Sequence, residues 1–418
     1  MQYGKMIYHH RKKLGWTQEK LCEGICSVSH LSKIENGNKE AGIETIELLL
    51  KKMKVEKEAD AINLDEIMVQ LKRLWNLIER ADYQLSQQIF DELVLNEEFI
   101  HYTSISNEFS IVIWRYYIFI EDMQNARKKW KQLEKKRKKF SQHELIKFLF
   151  TLSIFYIKEK RYDDSLLMMD EVQDLVPNIE VEFQEFCFYR ALIYQILNQP
   201  SVSMYFCNKA IPIFVQNNNI KRILDSKMLL SLQLIKSKLL DKAELILEEV
   251  LDNSTILNDK TIYYNALHNL GYLYFHSNKN KKAITYYQRY LESVQEGSEE
   301  YYTVISNIAN NMIILKEYQS ASELLGDNLT KIDDKNSSLY IKIQVLYYEA
   351  KQEKCNLVEY LREVALPFWI KNSESDKLIK YYKILNDFYK ENCKIEEQNI
   401  LLQEYNSILL SILNKKGI

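Results

Sequence analysis

One pattern recurs from about residue 67 to the last residues of the sequence, at intervals of about 36 to 41 residues. Its clearest copy is the run LHNLGYLY at Leu267–Tyr274, followed by Ala283, Tyr287 and Tyr290. Gly271 and Ala283 are small enough to let two helices approach closely, and the tyrosines fill the groove between them. Such hairpins bury their apolar faces only against their neighbours, so the pattern predicts an array of about nine stacked helical hairpins.

The scarcity of turn residues supports an all-α fold. The 418 residues include only 9 Gly and 4 Pro, about a quarter of the average usage. Sandwiches, barrels and doubly wound sheets need more of both residues than this chain has. Five of the glycines fall within the first 42 residues, which indicates a different architecture at the N-terminal end.

The first 53 residues divide into short helices. Gly15 ends the first helix, Thr17 caps the second, and a tight connection at Cys26 leads to the third, Val28–Asn36, which Gly37 ends. A fourth helix is expected from about residue 43 to residue 53. Two short helices joined by a tight turn form a helix-turn-helix, whose second helix can enter the major groove of DNA.

The run RKKLGWTQEKLCEGICSVSHLSKIENG resembles the helix-turn-helix family of phage repressors and their bacterial relatives, with Cys26 in place of the usual turn glycine. The resemblance implies that Gln18 contacts phosphate and that Leu31 and Ile34 face inward. The third helix places its polar side chains where they can reach base edges or the backbone. The DNA-binding candidates are Gln18, Ser27, Ser29, His30, Ser32, Lys33 and Asn38.

Charge limits how DNA could be bound. The whole chain has a net charge of −2, so a nucleic-acid site must be local, and residues 1–53 hold nine Lys or Arg against six Asp or Glu. This modest excess favours a homodimer that binds two half-sites. His30 could alternatively be an ordinary solvent-facing residue. The run Arg127–Lys139 holds nine Lys or Arg and one Glu; it is either a solvated helix face or a contact with DNA phosphates or an acidic partner.

The sequence gives little indication of an enzyme, a metal site, disulfide bonds or a membrane span. The sequence has no glycine-rich phosphate loop, GxSxG or HExxH motif, so neither catalytic residues nor a cofactor are expected. Cys22 and Cys26 lack a second pair of nearby ligands, so no metal site is expected. Six scattered cysteines without a signal peptide indicate reduced thiols in a cytoplasmic protein. The apolar stretch at residues 111–120 is too short to span a membrane and contains Arg115.

The repeats resemble tetratricopeptide repeats, which implies a right-handed superhelix whose concave face grips an extended peptide. Asn269 and Asn307 occupy the same repeat position. An Asn side chain offers both a donor and an acceptor, so a ladder of them could hold a peptide backbone; alternatively each is a surface or capping residue. The peptide-binding candidates are Asn265, His268, Asn269, Tyr272, Asn307 and Asn310, with Arg115, Tyr189 and Lys236 as further inward positions.

The helix-turn-helix and the repeats together resemble the family of Gram-positive peptide-pheromone receptors that includes PlcR, NprR, Rgg, Rap and PrgX, and the PlcR/NprR branch in particular. The resemblance implies a quorum-sensing transcription regulator controlled by a short imported peptide. The expected domains are a DNA-binding head at 1–53, a linker at 54–66, and a peptide-sensing and dimerisation region at 67–418. Two alternatives remain: an array that binds and modulates a response regulator, and a constitutive repressor whose repeats serve only for dimerisation.

Overall fold

The computed structural model describes residues 3–36, 42–54, 64–101, 103–176, 179, 183–372 and 375–415. Within these ranges the regular elements are helices and no strand occurs, so the expected all-α class is confirmed. The chain divides into two compact units, Met1–Gln233 and Leu234–Ile418.

The first unit begins with four short helices, α1 Tyr3–Lys13, α2 Gln18–Cys22, α3 Val28–Glu35 and α4 Ile43–Lys52. We call residues 3–54 the head. Its core contains Leu31 and Ile34, as predicted. Gly4 lets α1 approach α3 closely, since a Cβ at this position would lie 1.8 Å from the carbonyl oxygen of Ile34. Gly37, Asn38 and most of the expected linker lie outside the described residues.

The rest of the first unit consists of helix pairs that follow one another along the chain. These helices are α5 Leu64–Glu79, α6 Tyr83–Val94, the short α7 Glu97–Ile100, α8 Ser106–Phe119, α9 Met123–Glu134, α10 Gln142–Lys158, α11 Tyr162–Leu175, α12 Phe186–Ile196, α13 Pro200–Gln216 and α14 Ile220–Lys236. The last of them, α14, crosses the boundary between the units.

The second unit continues the same plan. Its helices are α15 Leu240–Ile256, α16 Lys260–His276, α17 Asn280–Leu291, α18 Glu299–Ile314, α19 Tyr318–Leu329, α20 Ser338–Lys351, α21 Lys354–Tyr360, α22 Leu366–Lys371, α23 Ser375–Glu391 and α24 Ile395–Lys415. A single π-helical turn, Leu361–Ala365, joins α21 to α22.

The predicted close-packing positions are confirmed. The small residue that opens the second helix of each pair has no exposed surface at Ala126, Ser165, Ser203, Ala243, Ala283 and Ala321. At two of these positions a hydroxyl also bonds the first helix, from Ser165 Oγ to the Ser153 carbonyl at 2.7 Å and from Ser203 Oγ to the Ala191 carbonyl at 2.8 Å. A Cβ on Gly271 would lie 2.8 Å from the Tyr287 ring, so glycine is needed where α16 meets α17.

The turns inside the helix pairs explain why the repeats contain so few glycines. Each described pair has one non-glycine residue with a left-handed backbone in this turn: Ala81, Glu121, Lys160, Asn198, Lys238, Asn278, Lys316, Gln352 and Cys393, with φ between 53° and 64°. The left-handed region is where helices commonly end, usually with Gly. In this chain ordinary residues perform that role.

Candidate nucleic-acid interface and peptide surface

Helix α3 is fixed at its N-terminal end by Ser27. The Ser27 hydroxyl accepts a hydrogen bond from the His30 backbone N–H at 3.2 Å, which satisfies one of the donors that a helix leaves free at its start. Thr17 caps α2 in the same way, accepting from the Lys20 N–H at 3.2 Å. Ser27 is exposed, and it also has a structural role as the N-terminal cap of α3.

The remaining candidates on α3 form its outward face. Ser29 and Lys33 are exposed, and His30 and Ser32 are half-buried. The opposite side of the helix carries Leu31 and Ile34 into the core. The short polar side chains thus face outward near the start of the helix, the arrangement that direct reading of base edges requires.

A buried ionic network joins the three helices of the motif. Arg11 on α1 forms two hydrogen bonds with Glu35 at the end of α3, at 2.7 and 2.8 Å, and both side chains are almost fully buried. Gln18 Nε2 donates to the same carboxylate at 2.7 Å, and Arg11 also donates to the Trp16 carbonyl at 2.8 Å. The bond with Glu35 raises the pKa of Arg11 further. The network orients the Gln18 amide and couples α2 to α3.

The sequence pattern places Glu35 at the end of the third helix but does not identify its partner. The sequence does indicate that Arg11 needs a partner, because Arg11 lies on the same side of α1 as the buried Ile7. A charged residue at such a position requires a buried counter-charge. The 24 residues that separate Arg11 from Glu35 hide the pair from local pattern analysis.

In the second unit, α16 and α18 carry most of the peptide candidates. Asn265 is exposed, whereas Asn269, Tyr272, Asn307 and Asn310 are half-buried. Asn307 Oδ1 accepts from Lys342 Nζ at 3.4 Å, and the Tyr272 ring packs edge-on against His276 with centroids 4.4 Å apart. These side chains supply donors, acceptors and an aromatic surface on two consecutive first helices of the repeat.

His268 is half-buried and packs within its own hairpin, and its part in peptide binding stays a prediction. Its ring lies against Tyr287 and Tyr290 of the second helix in its own hairpin, with centroid distances of 5.7 and 5.0 Å. Burial lowers its pKa, although a hydrogen bond with Asn269 opposes this. Its contribution is to pack the hairpin and to orient Asn269.

Arg115 differs from the expected groove residue, whereas Tyr189 is half-buried beside it and stays a prediction. Arg115 is 2% exposed and donates to Glu185 at 2.6 Å and to the Tyr189 hydroxyl at 3.3 Å. Arg222 donates to the other oxygen of the Glu185 carboxylate. Arg115, Glu185 and Arg222 therefore form a buried ionic cluster in the first unit. Because Arg115 is enclosed in this cluster, it has no free surface for a ligand. Sequence analysis missed Glu185 and Arg222.

Lys236, the last candidate, is exposed at the end of α14. Across the residues with defined positions, no group of three His, Cys, Asp or Glu side chains is arranged to hold a metal ion. In the same residues, no helix has the length and hydropathy needed to cross a lipid bilayer.

The N-terminal motif matches the helix-turn-helix family HTH_3 over residues 7–58. Fold and motif together define a helix-turn-helix protein with tetratricopeptide-like repeats. The transcriptional activator NprA of Geobacillus stearothermophilus is 20% identical over 389 residues, which cover 90% of this chain and 95% of the relative.

Two solved structures share the fold. The apo form of the quorum sensor NprR from B. thuringiensis matches with a TM-score of 0.74 and 20% identity, covering 82% of this chain and 99% of that one. NprR in complex with its cognate peptide NprX matches with a TM-score of 0.59 and 19% identity, covering 80% and 99%. The resemblance to the peptide-pheromone receptor family that the motifs predicted is therefore confirmed.

Proposed function

We propose that this protein is a transcription regulator that binds operator DNA through α3 and is controlled by a short signalling peptide bound on α16 and α18. The observation that carries the proposal is the outward polar face of α3, held in place by the Arg11–Glu35–Gln18 network. The similarity to NprR, which has been solved with a cognate peptide, supports the second part.

Two copies of the chain act together in this proposal. One head has a modest charge excess and reads one half-site, so a homodimer on a pseudo-palindromic operator supplies the needed affinity and specificity. The peptide controls binding only if it prefers the DNA-competent arrangement of the dimer. By linkage, DNA must then change the affinity for the peptide by the same factor.

The DNA-binding surface is tested by replacing Ser29 and His30 with Ala together. We expect operator affinity to fall at least about tenfold, because each lost base contact costs about 1–3 kcal/mol. The measurement is a gel-shift titration on duplexes that the wild-type protein selects from a random library. A variant with His143→Ala and Ser320→Ala, both exposed outside the head, serves as the control. Equal affinity of the two variants would remove α3 from the interface.

The peptide surface is tested by the double variant Asn269→Ala and Asn307→Ala. We expect at least about tenfold weaker binding, because two hydrogen-bonding side chains are lost from a partly desolvated surface. The ligand comes from a thermal-shift screen of short synthetic peptides, beginning with any small secreted precursor encoded beside the gene, and calorimetry measures its affinity.

The matched control for that pair is Asn336→Ala with Asn399→Ala, which removes two exposed Asn side chains of the same unit. Equal peptide affinity in both double variants would place the peptide elsewhere. A protein that binds a response regulator in a pull-down but no duplex would instead favour the response-regulator alternative. Normal regulation by a truncated array that keeps the dimer interface would favour the constitutive repressor.

A further inference from the structure

The basic run Arg127–Lys139 forms a surface that the proposed function does not yet use. It comprises most of α9 and the 3₁₀ turn Arg137–Lys139 that follows. Ala126 and Leu133 are buried on the inner side of α9, and the Trp130 ring packs against Phe155 with centroids 5.4 Å apart. The apolar side is thus anchored, and the lysines are left on the outer side.

Three of the nine cations in the run are neutralised by neighbours. Arg127 pairs with Glu159 at 2.8 Å, Lys129 with Glu97 at 2.8 Å, and Arg137 with Glu171 at 3.2 Å. The only acid of the run, Glu134, lies 3.7 Å from Arg137. Within the described part of the chain, the other six cations form no ion pair: Lys128, Lys131, Lys135, Lys136, Lys138 and Lys139. We call these six residues the lysine face.

The spacing of the lysines concentrates their charge. Lys128, Lys131 and Lys135 follow one another at i, i+3 and i+7, so they lie along one side of α9. They cover about 10 Å of the helix axis. Double-stranded DNA carries about six phosphate charges over that length, so the three lysines could neutralise about half of the charge of the duplex beside them.

The lysine face belongs to the same compact unit as the head, Met1–Gln233. A duplex contacted by both α3 and the lysine face would therefore be held by one compact part of the chain.

We infer that the lysine face is a second DNA-binding surface, which contacts the phosphate backbone of the same duplex that α3 reads. This inference rests on the proposed function, since it assigns a further contact to that DNA. Its contribution is independent of base sequence, because lysine ammonium groups neutralise phosphates and do not select bases. It supplements the small charge excess of the head and strengthens binding to any duplex. DNA is favoured over an acidic protein because the lysine face belongs to the same compact unit as the head, which carries the helix-turn-helix.

The test uses the full-length protein and a fluorescein-labelled 40-base-pair duplex of arbitrary sequence, with anisotropy measured over a series of KCl concentrations. The variant carries Gln at positions 128, 131, 135 and 138, all exposed lysines. Each lost phosphate contact lowers the steepness of log K against log salt by about 0.9. We expect the slope to decrease by about 2 or more and the affinity at low salt to fall at least tenfold.

The matched control carries Gln at Lys242, Lys260, Lys281 and Lys335, four exposed lysines of the second unit. Both variants lose the same charge, so a general electrostatic effect changes both equally and would overturn the inference. If the wild-type protein binds no duplex at all, the proposed function itself fails. If DNA binding is unchanged and only binding to poly-glutamate is lost, the lysine face serves an acidic protein and the inference is wrong.

Discussion

Replacing Glu35 with Gln is expected to destabilise the head by about 3–5 kcal/mol, because it leaves the Arg11 guanidinium buried without a counter-charge. Gln has nearly the same volume as Glu, so the loss reports charge and not a cavity. Gln18 loses its anionic acceptor in the same step, which frees its amide and loosens α2 against α3. Operator binding should fall with the stability of the head.

Hydrogen exchange of backbone amides measures this effect locally. Protection in residues 3–36 should decrease by about two to three orders of magnitude, while protection in α10 and α11 stays as in the wild type. The control is Glu23→Gln, which removes an exposed carboxylate 3.9 Å from Lys52; such surface pairs contribute less than about 1 kcal/mol. Equal protection in the two variants would show that the Arg11–Glu35 pair does not hold the head together.

The second large effect concerns Glu79, which is 3% exposed on α5. Burial raises its pKa from an ordinary 4.5 to about 7, and the nearby Glu185 carboxylate contributes to the rise. The Gln184 and Trp75 side chains donate to Glu79 at 2.7 and 3.1 Å and oppose the rise. Among the described side chains none bonds Gln184 Oε1, so a turned amide could accept the proton that Glu79 carries at low pH.

The direction of the pH effect follows from the raised pKa. The folded state holds the Glu79 proton more tightly than the unfolded state, so this stabilisation is complete below pH 4.5 and disappears as the pH rises through 7. It amounts to about 3 kcal/mol in total, and about 2 kcal/mol of it is lost between pH 5.5 and pH 8. Glu79→Gln is neutral at every pH and should remove this part of the pH dependence.

Urea unfolding at pH 5.5 and pH 8 tests the prediction. Between pH 5.5 and pH 8, the free energy of unfolding of the wild type should fall by about 2 kcal/mol more than that of Glu79→Gln. The control is Glu66→Gln, an exposed carboxylate on the same helix, which should retain the wild-type slope. If Glu79→Gln also retains the wild-type slope, then Glu79 is ionised in the wild type throughout this pH range.

The sequence was informative where function depends on local periodicity. Leu31 and Ile34 could be assigned to the core because the resemblance to the helix-turn-helix family aligns residues within one short helix. The Thr17 cap follows from the residue type that precedes a helix, and Gly271 from the need for close packing. Each of these features depends on residues within a few turns of one another.

The sequence failed where charged groups meet across long separations. Arg115 looked like a groove residue because its repeat position faces inward, but Glu185, 70 residues later, neutralises it. His268 shows the same limit, because the repeat pattern does not report that its ring lies against Tyr287 and Tyr290 of the adjacent helix. No pattern in a single sequence reports which distant side chain completes such a contact.

The lengths of the connections determine where the repeats can bend. Inside the helix pairs the connection is nearly constant, with three residues between α16 and α17 and two between α20 and α21. Between pairs it varies, from three residues before α16 to eight before α20. Each hairpin is therefore held as a rigid pair by its short connection, and the longer links between hairpins are where the chain can bend. Within either unit, relative movement of hairpins should occur at these longer links and leave each hairpin unchanged.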